Sequence, residues 1–251
     1  MRFDDLEARF RALEGALDAR LPDEKWIVAR LDGRGFTRLT KRALPLERPF
    51  DPRFHEAMKR TVSHVCDCGF AVRLAFSQSD EISLLFEETE CGFDGKTRKW
   101  LSVLAGETSA AFSLSLGQLG AFDCRLLALP DDDSAIDYFR WRQSDAARNA
   151  LSAHAYWLLR SQNETARGAT KRLDGQTPAQ KRAWLETQGV DVANLPLWQT
   201  HGFAAHWEQF DKAGLNPKTG EAVLAKRKRL HMETLLPEGE EFAAWLRKWV
   251  Y

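Results

Sequence analysis

The run Trp26-Ile27-Val28-Ala29-Arg30-Leu31 is apolar almost throughout and stops at Asp32-Gly33-Arg34-Gly35. Its length and its glycine-rich stop suit a short buried strand. Phe70 to Phe76 and Ile82 to Phe86 read as a hairpin, with Ser77-Gln78-Ser79-Asp80-Glu81 between and partly within its strands. Phe122 to Leu129 reads as a further strand, stopped by Pro130. Helical patterns fill the gaps. Residues 4–20 carry Leu6, Phe10, Leu13 and Leu17 at a spacing near 3.6. Asp51-Pro52 opens a helix bearing Phe54, Met58, Val62 and Val65, with Gly69 as its stop. Thr97 to Leu116 is helical, and Asp131-Asp132-Asp133 opens a long helix to about Arg160. The order α, β, α, β, β, α, β, α contains the βαββαβ arrangement of a ferredoxin-like core. Beyond it, residues 163–190 are polar and helical with a break at Gly175, and Asn216-Pro217-Lys218-Thr219-Gly220 is a turn signal between two possible strands. The expectation is an α+β chain with a catalytic domain at 1–160 and a helical and hairpin extension at 161–251.

The chain has 251 residues, 44% of them hydrophobic, with 36 Lys+Arg against 36 Asp+Glu. That much apolar material excludes a mostly disordered chain, and the balance excludes a global cationic field. A local basic stripe for nucleic acid is still allowed. No apolar run suits a signal peptide or a membrane span, so a cytoplasmic protein with no membrane partner is expected. The cysteines Cys66, Cys68, Cys91 and Cys124 show no CxxC set and read as packed or free thiols. The six histidines show no HExxH or clustered spacing, which disfavours a zinc enzyme.

Asp32 ends the first strand, and Asp80 and Glu81 interrupt the apolar hairpin. In a ferredoxin-like sheet the first and third strands can lie side by side, which would bring these carboxylates together. Such a cluster repels itself unless a cation neutralises it, and hard divalent ions take oxygen ligands. Taken singly, either aspartate is an ordinary turn residue; the combination is what points to metal chemistry. Gly33 and Gly35 let backbone N–H groups approach an anion, and Arg34, Arg38, Lys41 and Arg42 add charge or form a solvated helix face. Lys96 and Lys99 share a face at a helix start, either beside an anion or simply exposed. Arg142, Asp145 and Asn149 form one polar stripe on an apolar helix, suited to an RNA 5′ end or to an internal ion pair. Lys226-Arg227-Lys228-Arg229 is either an RNA-backbone contact or a charged exposed strand.

Four segments in order resemble the tRNA(His) guanylyltransferase superfamily. They are Ala29-Arg30-Leu31-Asp32-Gly33-Arg34-Gly35-Phe36, Ser77-Gln78-Ser79-Asp80-Glu81-Ile82-Ser83, Phe122-Asp123-Cys124-Arg125 and Asp137-Tyr138-Phe139-Arg140-Trp141-Arg142-Gln143-Ser144-Asp145. The resemblance implies a polymerase-palm core and a metal-dependent nucleotidyltransferase that extends the 5′ end of tRNA in the 3′–5′ direction. It implies two Mg²⁺ ions held by Asp32, Asp80 and the Gly33 carbonyl, with Glu81 in support. Asp32, Gly33, Arg34, Gly35, Phe36, Thr37, Ser79 and Asp80 would line a nucleoside triphosphate, with Lys96 and Lys99 at its phosphates. The implied partners are tRNA, ATP, GTP and other NTPs, and further copies of the chain in a tetramer. Two departures stand out. Eukaryotic members carry His-Ile-Asn-Asn where this chain has Ala147-Arg148-Asn149-Ala150, and Phe-Asp-Gly-Arg becomes Phe-Asp-Cys-Arg. Both look more like the guanylyltransferase-like proteins of bacteria and archaea, which resemble template-dependent enzymes that repair 5′-truncated tRNA. The alternatives are a dedicated tRNA(His) guanylyltransferase, a palm-fold nucleotide cyclase and a non-catalytic RNA-binding protein.

Overall fold

A computed structural model describes residues 2–22, 26–40, 45–88, 92–215, 218 and 220–251. Its strands are β1 (Trp26–Arg34), β2 (Val72–Gln78), β3 (Glu81–Phe86), β4 (Ala121–Leu129), β5 (Phe203–Leu215) and β6 (Ala222–Glu233). They form one sheet in the order β4-β1-β3-β2-β5-β6, antiparallel at every pairing. The first four strands keep the ferredoxin-like order expected from the sequence, and the chain is α+β. β5 adds to the free edge of β2, so residues beyond 160 share the same sheet.

The helices are α1 (Phe3–Gly15), the one-turn α2 (Phe36–Arg38), α3 (Pro52–Val65), α4 (Thr97–Leu116), α5 (Asp132–Ser161), α6 (Ala166–Leu173), α7 (Pro178–Thr187), the one-turn α8 (Leu197–Thr200) and α9 (Gly239–Val250). Alternation along β1 sends Ala29 and Leu31 to one face of the sheet and Trp26 and Val28 to the other. α3 and α4 cover the first face with Met58, Val62, Leu104 and Phe112. α5 and α9 cover the second with Ile136, Phe139, Phe242 and Leu246. Met58, Leu84 and Phe112 are almost fully buried, each stabilising the fold by about 1.5–3 kcal/mol. The C-terminal half of α5 packs Leu151 and Ala155 against Leu185 and Val192 in a smaller cluster. Among the described residues no helix is long and apolar enough to cross a membrane.

Two expected elements change length for physical reasons. α1 stops at Gly15 rather than reaching residue 20, and none of its residues is buried. Phe10, Leu13 and Leu17 are 54%, 58% and 91% exposed, so the apolar stripe has no partner surface among the described residues. Without packing, a helix frays at a poor helix former such as glycine. β1 runs on through Asp32, Gly33 and Arg34 because β4 supplies Asp123, Phe122 and Ala121 as pairing partners. Asp32 therefore lies within a strand, not at its end.

Candidate active site

Gln78 pairs with Glu81, which leaves Ser79-Asp80 as a two-residue turn between β2 and β3. Ser79 takes a left-handed φ of 52°, as tight hairpin turns require. Its hydroxyl donates to Asp80 Oδ1 at 3.0 Å. The Gly33 N–H donates to the Asp80 carbonyl at 3.0 Å, which stitches the hairpin tip to β1. A Cβ on Gly33 would stand 2.8 Å from Asp80 Oδ2 and 2.7 Å from the Phe36 ring, so the close approach demands glycine. Asp32 sits opposite Glu81 of β3 and Asp123 of β4. The sheet thus brings Asp32 to the adjacent Asp80 and Glu81, nearly fifty residues further along the chain.

Burial pushes the Asp80 carboxyl up, the Ser79 hydrogen bond opposes this, and the charge of Asp32 adds to the rise. Asp32 is half-exposed, with the Arg125 guanidinium 4.0 Å from its Oδ2 and 3.7 Å from Asp123. Two hard-oxygen donors under mutual repulsion at an open cavity are a set that Mg²⁺ would relieve. Glu81 is engaged differently. Arg142 Nε and Nη2 donate to its two oxygens at 2.6 and 2.7 Å, and Nη2 also reaches Asp145 at 3.1 Å. Burial pushes the Glu81 carboxyl up while Arg142 opposes it. Arg30 Nε lies 3.9 Å from Glu81 Oε2 and is buried with no hydrogen-bond partner.

A cavity of about 340 Å³ is lined by Asp32, Ser79, Asp80, Glu81, Arg142 and Asn149, among others. A second of about 200 Å³ adjoins it through Phe50, Ser79 and Asp80, and is walled by Phe54, His55, Trp157 and Trp198. His55 stacks on Trp198 at 4.5 Å between ring centroids, and burial brings its pKa down to about 4, so the ring is neutral near pH 7. The Arg48 guanidinium lies 4.7 Å above the Trp157 ring. Asp51 caps α3 through the Arg53 N–H and accepts the Glu47 N–H at 2.7 Å, which fixes this wall. A flat, aromatic pocket beside paired carboxylates suits a nucleobase next to its phosphates.

The other sequence-derived candidates separate into two groups. Thr37 lines the aromatic cavity, while Arg34 is exposed and Gly35, with φ 73°, starts α2. Phe36 is buried, its ring packed among Phe54, Phe112 and Phe122, so it anchors the loop. Asn149 donates to Asp145 at 3.3 Å, and Arg148 bonds the same carboxylate. Lys96 and Lys99 stand apart. Lys96 caps and Lys99 opens α4, whose Trp100 packs on Phe86, at the opposite end of β3 from Glu81. The structure does not bring them to the carboxylates. Lys41, Arg42 and Cys91 lie outside the described residues, and Cys66, Cys68 and Cys124 are free thiols. Lys226 and Arg229 of β6 pair with Asp211 at 3.6 Å and Glu208 at 3.1 Å. His55, Trp198 and Asp123 are not among the sequence-derived candidates, and Trp157 reads from sequence as a core aromatic rather than a base-stacking platform. Only Asp123 carried a signal, its place in the Phe122–Arg125 segment.

The family model described as tRNAHis guanylyltransferase matches residues 7–130. The model described as Thg1 C terminal domain matches residues 133–235. The tRNA(His) guanylyltransferase of Schizosaccharomyces pombe is 28% identical over 213 residues, 78% of this chain and 81% of that protein. The Neurospora crassa tRNA(His) guanylyltransferase is 31% identical over 193 residues, 71% of this chain and 65% of that one. A bacterial tRNA(His) guanylyltransferase-like protein, solved in complex with ATP, superposes with a TM-score of 0.78 at 25% identity, over 98% of this chain and 99% of that one. With the two family models together spanning most of the chain, the protein belongs to the tRNA(His) guanylyltransferase superfamily of nucleotidyltransferases.

Proposed function

We propose that the chain adds nucleotides in the 3′–5′ direction to the 5′ end of tRNA, guided by the opposite strand, and so repairs 5′-truncated tRNA. The observation that carries this reading is the meeting of Asp32 and Asp80 at a cavity continuous with an aromatic pocket. Two Mg²⁺ ions held by Asp32, Asp80 and the Gly33 carbonyl would supply activation of a nucleotide 3′-hydroxyl and neutralisation of the departing phosphate. Trp157, Phe50 and Trp198 hold a base, and Thr37 and Ser79 bond its sugar or phosphates. Glu81, locked by Arg142, keeps the end of β3 in place beneath Asp32. In the reaction the 3′-hydroxyl of the incoming nucleotide forms a bond to the activated 5′ phosphorus. The bond to AMP or pyrophosphate breaks.

The names of the relatives favour the second reading, a dedicated tRNA(His) guanylyltransferase. Against it, Arg148 and Asn149, in the segment that replaces His-Ile-Asn-Asn, both turn to Asp145. Side chains so engaged leave nucleotide choice to base pairing. Residues 1–160 carry the chemistry in this reading, and 161–251, with the basic β6, grip the RNA. Nucleotide contact by Lys96 and Lys99 requires a second copy of the chain, and the exposed stripe of α1 supports an assembly of copies, a tetramer by analogy, in the cytoplasm. The test offers labelled NTPs and Mg²⁺ with a truncated tRNA or with full-length tRNA(His). Faster addition of the paired nucleotide to the truncated tRNA supports repair. Faster untemplated addition of G to tRNA(His) overturns it in favour of the dedicated enzyme.

A further inference from the structure

β5 and β6 carry a cluster of metal-ligating side chains, none of which lines either cavity. His206 of β5 stands opposite His231 of β6, and Glu208 lies two residues on, hence on the same face of the sheet. One ring nitrogen of each histidine and one Glu208 oxygen lie within 4.8 Å of one another. His206 is 5% exposed and stacks on Trp249 of α9 at 3.8 Å between centroids. Its Nδ1 is buried with no hydrogen-bond partner among the described residues, a costly state for an imidazole unless something else satisfies the ring. Glu208 Oε2 accepts both Arg229 Nε and Nη2 at 3.1 Å. Its Oε1 lies 3.8 Å from His231 Nδ1, and Glu233 Oε2 lies 3.9 Å from His231 Nε2.

We propose that His206, His231 and Glu208 form a binding site for a borderline first-row divalent cation of the Zn²⁺ type, separate from the hard-ion site at Asp32 and Asp80. Two imidazoles and one carboxylate are the donor set such ions take, whereas Mg²⁺ prefers oxygen and water. A tetrahedral ion about 2.1 Å from each donor places the donors roughly 3.4 Å apart. The side chains therefore need to close by about an ångström, which half-exposed His231 and Glu208 have room to do. Glu233 or water fills the fourth position. The ligands sit where the hairpin passes from its buried start at Phe203–His206 to its exposed reach from Gln209 onward. An ion there fastens the two strands at the root of the arm and fixes its angle to the sheet.

The competing account is a surface cluster in which Glu208 serves only Arg229 and His231. Titration of the full chain with Co²⁺, in excess Mg²⁺, separates the two by visible absorption. The expected result is one Co²⁺ per chain with ligand-field bands, displaced by Zn²⁺, and a melting temperature that Zn²⁺ raises. His231→Ala and Glu208→Gln each weaken binding by roughly tenfold or more and abolish the thermal shift, with circular dichroism unchanged. The double variant Asp32→Ala, Asp80→Ala binds Co²⁺ as the parent does. Undiminished binding in His231→Ala, loss of binding in the Asp32, Asp80 variant, or no bands in the parent overturns the proposal.

Discussion

Arg142 of α5 and Glu81 of β3 meet fork to fork, through two parallel hydrogen bonds of 2.6 and 2.7 Å. The guanidinium side chain is 7% exposed, and its face lies 4.4 Å from the Trp141 ring. This pair ties the helix to the sheet at the end of the sheet where the aspartates gather. Its partners cannot be removed one at a time without leaving a charge in a poorly solvated place.

Arg142→Met is expected to lower stability by about 3–5 kcal/mol, because Glu81 loses both of its charge-assisted hydrogen bonds in a poorly solvated place and keeps only Arg30 at 3.9 Å. The double variant Arg142→Met, Glu81→Gln should recover most of that loss. Urea unfolding of the parent, both single variants and the double variant gives the coupling energy. A loss of under about 1 kcal/mol in the single variant would show that the pair contributes only alignment.

Asp32→Ala and Asp80→Asn should each lower nucleotide addition by roughly 10²–10³-fold or more, with the fold intact. Asp80→Asn should not reduce the melting temperature and is expected to raise it, since burial of its charge is what pushes the carboxyl up. Single-turnover addition and a thermal melt on the same preparation check both halves. Parent-like turnover with an unaltered Mg²⁺ dependence sinks the assignment.

Gly33→Ala tests the stitch between β1 and the hairpin tip. The new methyl would press on Asp80 Oδ2 and the Phe36 ring, so about 1–3 kcal/mol of overpacking is expected. The loss of activity should exceed the loss of stability, because the displaced atom belongs to Asp80. Comparing kcat with the urea midpoint reads both.

The acid limb of stability should fall in two steps. The unfolded chain protonates His55 near 6.5, but the folded chain, by burial, resists until about 4. That contribution is present above pH 6.5 and is lost as the pH falls toward 4. The Arg53 guanidinium holds Asp51 down to about 2 from 3.8, so its contribution is lost only below that higher value. His55→Gln should flatten the first step and leave the second, as followed by urea midpoints across the acid range.

The strands were legible because apolar runs broken by Gly and Pro are local signals, and the strand order followed from the βαββαβ pattern. The meeting of Asp32 with Asp80 was legible for the same reason, since it needs only β1 beside β3. What sequence could not give was engagement. Arg142 and Asn149 are polar at helical spacing whether they face RNA or Asp145, and only packing decides. Nor could it give walls built from remote segments, such as Trp157 and Trp198 around Phe50. Lys96 caps α4 in extended backbone and Lys99 lies in its first turn, and the packing of Trp100 on Phe86, a non-local contact, decides which end of the sheet receives them. α1 misled because amphipathic spacing reports a helix, not a partner for its apolar side.

The β1–β3 pairing acts as a ruler. Neighbouring strands in a sheet lie about 4.8 Å apart, and cooperating cations in two-metal sites about 3.5–4 Å apart. With one aspartate on β1 and the other on the tip of the hairpin hydrogen-bonded to it, the backbone lattice sets the gauge of the site before any side chain chooses a rotamer. Such a gauge is insensitive to drift elsewhere on the surface. Among the described residues, variation in loops, helix ends and the β5–β6 arm can retune which substrate arrives while leaving the calibration of the reaction untouched.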